Sequence, residues 1–86
     1  MSKSTISVTV KLFAAFQETY GVSEIAREFP PDTLVEAVLE SAIAEHPELQ
    51  KWRSITRFGV NLQFVEPNTR LQDGDEVVLI PPVSGG

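Results

Sequence analysis

The sequence predicts an α+β domain in which a mixed sheet of about four or five strands carries one main helix packed on one face. Three stretches carry that prediction. Residues 5–13 set Ile6, Val8, Val10 and Leu12 against Thr5, Ser7, Thr9 and Lys11, the period of two that a half-buried strand requires. Val35, Val38, Leu39, Ala42 and Ile43 follow the i, i+3, i+4, i+7, i+8 spacing of a helix with one apolar stripe. Val77-Val78-Leu79-Ile80 is apolar on both sides, as a strand central in its sheet is.

Phe13 either stays on the polar side of the first strand or turns into the core at its end. Residues 14–20 are Ala-rich and free of Gly and Pro, and Gly21 stands where a helix C′ residue belongs. That short helix stacks Phe16 and Tyr20 at i, i+4. Residues 22–29 return to strand character, with Ile25 and Phe29 as anchors, and Pro30-Pro31 ends them. Thr33 as N-cap and Glu36 three residues on form a capping box for the main helix. Glu36, Glu40 and Glu45 fall on its opposite side, as a solvated surface without partners. Pro47 stops the helix near Glu45 or His46, and His46 sits favourably at its negative end.

Leu49 and Trp52 read as packing anchors of a short turn. Lys51, Arg53 and Arg57 form a small basic cluster, a modest docking signal in an acidic chain. Residues 58–65 read as one strand or two short ones, with Phe58, Val60, Leu62 and Phe64 on one side. Gly59 within it marks a bulge or a close backbone approach. Turns follow at residues 66–69 and at Asp73-Gly74, where Gly accepts a positive φ. The last strand lies beside the first, which gives the architecture of a ubiquitin-like β-grasp.

Eighty-six residues make one domain. With no cysteine in the chain, a disulfide framework, a thiolate metal site and a cysteine nucleophile are excluded. His46 is the single histidine and lacks the partners that a metal or triad role needs. A formal net charge of −5 opposes non-specific binding to nucleic acid. No apolar run approaches the ~20 residues that span a bilayer, and Met1-Ser2-Lys3-Ser4 has no signal-peptide pattern. These features describe a soluble cytoplasmic domain with neither a nucleic-acid nor a membrane partner.

The division falls at the prolines: residues 1–80 form the domain and residues 81–86 an extended Gly-Gly tail. Pro81 and Pro82 donate no N–H, so the strand stops pairing there. The flexible tail, Pro81, Pro82, Val83, Ser84, Gly85 and Gly86, reaches roughly 20 Å at ~3.3–3.6 Å per residue. Two residues without Cβ make its end narrow enough for a channel. The candidate reactive group is the α-carboxylate of Gly86. Ionised at neutral pH, with a pKa of ~3.3–3.7, it is a poor electrophile and must be activated. The chain has neither Gly-x-x-x-x-Gly-Lys nor Gly-x-Gly-x-x-Gly, so ATP acts in trans.

Four stretches together resemble the ubiquitin-like sulfur-carrier family, and within it the small subunits of molybdopterin synthase. They are Leu12-Phe13-Ala14, Val60-Asn61, Leu71-x-Asp73-Gly74-Asp75-Glu76-Val77 and Pro81-Pro82-Val83-Ser84-Gly85-Gly86. The resemblance spans essentially the whole chain, although residues 45–57 carry little of the pattern. It implies a partner adenylyltransferase of the ubiquitin-activating type, which spends ATP to adenylate Gly86. A sulfur donor protein then leaves a C-terminal thiocarboxylate. The large synthase subunit, in a heterotetramer, uses that sulfur on a pterin precursor in molybdenum cofactor biosynthesis. The chain itself then binds no cofactor and has no self-contained catalytic site. A carrier for thiamin thiazole synthesis, a protein modifier joined to lysine through Gly86, and a non-catalytic interaction module are the alternatives.

Six tail residues fall below the roughly 800 Å² per partner of a specific interface, so part of the domain must dock too. The sheet face away from the main helix is the candidate, through Phe13, Ile80 and, if its strand lies beside the last, Phe64. The alternative for Phe64 is the core. Arg57 and Arg70 are then rim charges that act on encounter rate more than on affinity.

Overall fold

The computed structural model describes residues 5–82. Five strands, β1 (Ile6–Leu12), β2 (Glu24–Phe29), β3 (Arg57–Val60), β4 (Gln63–Val65) and β5 (Glu76–Ile80), form one sheet in the order β2-β1-β5-β3-β4. β1 and β5 run parallel at its centre and every other pair is antiparallel. Helices α1 (Ala15–Tyr20) and α2 (Glu36–Glu45) and a 3₁₀ helix (Pro47–Trp52) complete the chain. The fold is the ubiquitin-like β-grasp, with the last strand beside the first.

Alternation in the strands decides where the core lies. Ile6, Val8, Val10 and Leu12 of β1 and Val77 and Leu79 of β5 are buried, together with Val35, Val38, Leu39, Ala42 and Ile43 on and before α2. Phe16 of α1 and Leu49 of the 3₁₀ helix close the same cluster, with Ile25, Phe29 and Trp52 packed on its margin. Gly21 ends α1 in the left-handed region, φ 76°, and donates to Gln17 O at 2.8 Å. Gly74 has φ 89° in the turn closed by Asp75 N donating to Gln72 O at 3.1 Å. No helix of the described residues is long and apolar enough to cross a membrane.

The capping box does not form. Thr33 Oγ1 donates to Pro30 O at 2.6 Å, and α2 starts at Glu36 with no side-chain cap. The reason is tertiary. Val35 N donates to Thr69 O at 2.7 Å, Glu36 N to Pro67 O at 3.1 Å, and Leu34 pairs with Arg70. Carbonyls of the 67–69 loop thus take the donors that a cap would satisfy. Glu40 and Glu45 are exposed but not partnerless: Arg53 reaches Glu40 at 2.6 Å, and Tyr20 Oη (2.6 Å) and Arg27 (2.9 Å) both donate to Glu45. Burial chiefly, and then the Glu45 hydrogen bond, push the Tyr20 hydroxyl up to about 12. His46 follows α2 and meets the Tyr20 ring edge-on at 4.6 Å.

Of the three basic residues, Lys51 lies over the Trp52 ring, Arg53 pairs with Glu40, and Arg57 belongs to β3. One further expectation needs correction. Residues 58–65 form a hairpin, not one continuous alternation. Asn61 and Leu62 both take positive φ, 51° and 71°, as a two-residue type I′ loop requires. The reversal buries Phe58 and Val60 but leaves Leu62 89% and Phe64 74% exposed.

Candidate functional site

The helices cover one face of the sheet; the other is open, and the register maps it. Glu24, Lys11, Val78, Gly59 and Phe64 lie in one row across all five strands. In the next row Ile80 of β5 pairs with Arg57 of β3. Phe13, one residue past the Leu12–Leu79 pair, is half exposed at the same end. The face divides by chemistry. Its β2–β1 half carries Glu24, Ala26, Glu28, Ser7, Thr9 and Lys11; its β5–β3–β4 half carries Val78, Ile80, Gly59 and Phe64, with Leu62 at the hairpin tip.

The charges of the face meet where β1 adjoins β5, at Glu76, and at Arg57 of β3. Lys11 Nζ lies 2.6 Å from Glu24 Oε1 and 3.9 Å from Glu76 Oε2, and the Glu24 hydrogen bond raises its pKa. On the apolar half, Arg57 is exposed and forms no ion pair among the described residues. Gly59, Leu62, Gln63, Phe64, Val78 and Ile80 enclose a shallow, predominantly apolar hollow of about 170 Å³.

The structure therefore brings Phe13, Ile80, Phe64 and Arg57 to one face. β4 is one strand removed from β5, so the adjacency on which Phe64's place was made conditional is not met. The intervening residue is Gly59, which has no side chain, so Phe64 still shares a hollow with Val78 and Ile80. The backbone of Arg70 pairs with Leu34 ahead of α2, and its side chain is exposed. Pro81 is buried and Pro82 exposed, so packing persists one residue past β5. Ser54, Ile55, Thr56 and Arg57 line a cavity with Pro82. The remaining tail residues named above, Val83, Ser84, Gly85 and Gly86, lie outside the described residues.

Gly59, Leu62 and Val78 were not singled out for docking from the sequence. Leu62 was hidden because Asn61-Leu62 lacks the Gly that announces most two-residue loops; Asn61 was the one available signal. Its side chain clamps the loop, donating from Nδ2 to Asp75 Oδ1 at 3.0 Å and accepting from Glu76 N at 3.0 Å through Oδ1. Among the described residues no group of His, Cys, Asp and Glu could hold a metal ion.

Comparison with known proteins gives consistent matches. The family model described as "ThiS family" matches residues 10–86. A Chlamydomonas reinhardtii protein named molybdopterin synthase sulfur carrier subunit is 37% identical over 94% of this chain and 100% of its own length. A solved complex of subunits 1 and 2 of molybdopterin-converting factor from Helicobacter pylori matches at TM-score 0.63 and 27% identity, over 94% of this chain and 100% of that one. Small archaeal modifier protein 1 from Methanosarcina acetivorans matches at TM-score 0.74 and 27% identity, over 95% and 98%.

Proposed function

We propose, given that the chain belongs to the ThiS family, that it is the sulfur-carrying small subunit of a molybdopterin synthase. The observation that carries this reading is its 37% identity to a carrier subunit of that name along that protein's entire length. In the proposed cycle, a carboxylate oxygen of Gly86 attacks the α-phosphorus of ATP on a cytoplasmic adenylyltransferase and expels pyrophosphate. A sulfur nucleophile at the oxidation level of sulfide then adds to the acyl carbon. AMP leaves with its bridging oxygen, and the product is a thiocarboxylate. When the sulfur passes to the pterin precursor on the large subunit, water supplies the oxygen that restores the carboxylate.

Docking in this reading uses the open half of the sheet. Phe13, Ile80 and Phe64 supply apolar contact around the root of the tail, and Arg57 supplies a rim charge. A large-subunit partner is supported by the complex in which the Helicobacter pylori neighbour was solved. The likeness to an archaeal modifier protein supports the second reading, conjugation to lysine through the same activated Gly86. A Gly86 deletion tests the first. With the large subunit present it abolishes molybdopterin formation and leaves the melting temperature unchanged; formation at the normal rate would overturn the reading.

A further inference from the structure

The two outer strands of the sheet differ in what they leave unpaired. β4 has only three residues, whereas β2 runs six, Glu24–Phe29, and pairs on one side alone, with β1. Its register is continuous from Ile6–Phe29 to Lys11–Glu24, and neither a bulge nor an internal proline blunts the far side, as outer strands often require. The pairing fixes where the backbone groups of β2 point. Leu12 N donates to Ser23 O at 2.9 Å. By antiparallel alternation, the residues of β2 that exchange hydrogen bonds with β1 are then Ile25, Arg27 and Phe29. The N–H and C=O groups of Glu24, Ala26 and Glu28 therefore face away from the sheet. Arg27 Nη1 lies 3.4 Å from Ala26 O, which agrees with that direction; at this length the contact is weak and open to displacement. The same three residues are exposed, and their side chains stand on the open face beside Lys11, Thr9 and Ser7. Lys11 pairs with Glu24, but Glu28 forms no ion pair among the described residues.

We propose that β2 is a docking edge, which takes an extended basic segment of another protein as an added antiparallel strand. The segment sets one lysine or arginine opposite Glu28, a second opposite Glu24 and a small residue opposite Ala26. Backbone hydrogen bonds to Glu24, Ala26 and Glu28 supply the affinity of such strand addition, and the alternate side chains supply its selectivity. On the helix side, Ile25 and Phe29 are half-buried at the margin of the core, and they offer apolar contact to the residues between the two cations. Charge selects the occupant. A second copy, paired about Ala26 so as to use every outward group, would set Glu24 against Glu28 at both ends, and like charges directly opposite are unfavourable. Each copy also carries −5. The two carboxylates that keep β2 from pairing with itself are the ones that favour a cationic strand, so one feature both rejects and selects. β1 separates this edge from β5, after which the tail begins, so the segment and a partner that holds the tail can bind together. The docking edge thus stands independently of the carrier reading.

The test uses a synthetic peptide, acetyl-Thr-Lys-Val-Thr-Val-Lys-Thr-amide, titrated into the isotope-labelled full-length chain and followed through backbone amide shifts. Saturable shifts are expected at Glu24, Ala26 and Glu28. A peptide with glutamate in place of both lysines binds roughly tenfold or more weakly, and added salt narrows that difference. Ala26→Pro removes an outward N–H that makes no bond to β1, a position where an outer strand tolerates proline. It weakens the lysine peptide roughly tenfold or more while the amide spectrum stays that of a folded chain. Glu28→Lys, an exposed change that leaves the fold intact, weakens the lysine peptide severalfold and strengthens the glutamate peptide. This reversal decides the matter even if Ala26→Pro fails to fold. No saturable shift with the lysine peptide, equal binding of the two peptides, shifts centred away from β2, or a folded Ala26→Pro chain that binds as well as the unaltered one would each overturn the docking edge. None of these outcomes bears on whether Gly86 carries sulfur.

Discussion

Glu45 shows how a single side chain ties three elements together. The Tyr20 hydroxyl and the Arg27 guanidinium converge on its carboxylate, joining α1, β2 and the end of α2. The Tyr20 hydrogen bond, followed by the Arg27 contacts, holds its pKa below the ordinary carboxylate range. A carboxylate with a depressed folded-state pKa contributes stability above its unfolded pKa and loses it as pH falls through the folded value. The group is half exposed, so solvent screens the contribution to under about 1 kcal/mol. Glu45→Gln should therefore lower the melting temperature slightly at neutral pH. That gap should narrow as the pH falls through the depressed pKa of Glu45, which thermal melts of both proteins at neutral pH and along an acid series would measure. A gap that widened in acid would contradict the assignment.

At the scale of elements, α2 and the 57–65 hairpin mark where local sequence stops determining structure. The apolar stripe of α2, the alternation of β1, the Gly21 and Gly74 turns and the central place of β5 were legible because each depends on side chains within one segment. The start of α2 was not. Thr33 and Glu36 match a capping box in sequence, yet the donors at 35 and 36 meet carbonyls from more than thirty positions further along the chain. Two short strands were among the readings of residues 58–65, but the sides of Leu62 and Phe64 were misplaced for a related reason: a clamp from Asp75 and Glu76 stabilises a left-handed Asn-Leu pair that local propensity does not announce. The outer face suffered accordingly. Phe13 and Ile80 could be placed from alternation alone, whereas Phe64 needed the strand order and Arg70 needed the bridge to Leu34. Hydrogen exchange can examine the α2 account. The Val35 and Glu36 amides should exchange as slowly as amides one turn into the helix; exchange as fast as at an uncapped first turn would show that the 67–69 carbonyls do not hold them.

The whole molecule is a small acidic body with one face covered by helices and the other divided into a charged half and an apolar half. The apolar half lies where β5 ends, so a partner that grips the tail meets it without further reach. Phe13→Ala and Ile80→Ala should each weaken binding to the adenylyltransferase and to the large subunit with little loss of fold, because neither side chain is buried in the core. Calorimetric titration with each partner reads this directly. Unchanged affinities for both variants would remove the face from the docking account.

The claim on which the functional account turns is that Gly86 carries sulfur. The most direct test is the intact mass of the purified chain after incubation with ATP, its adenylyltransferase and a sulfide source. The account predicts a gain equal to the replacement of one oxygen by sulfur, dependent on ATP and absent from a chain that lacks Gly86. A mass that stays unchanged, or a gain that persists without Gly86, would contradict it.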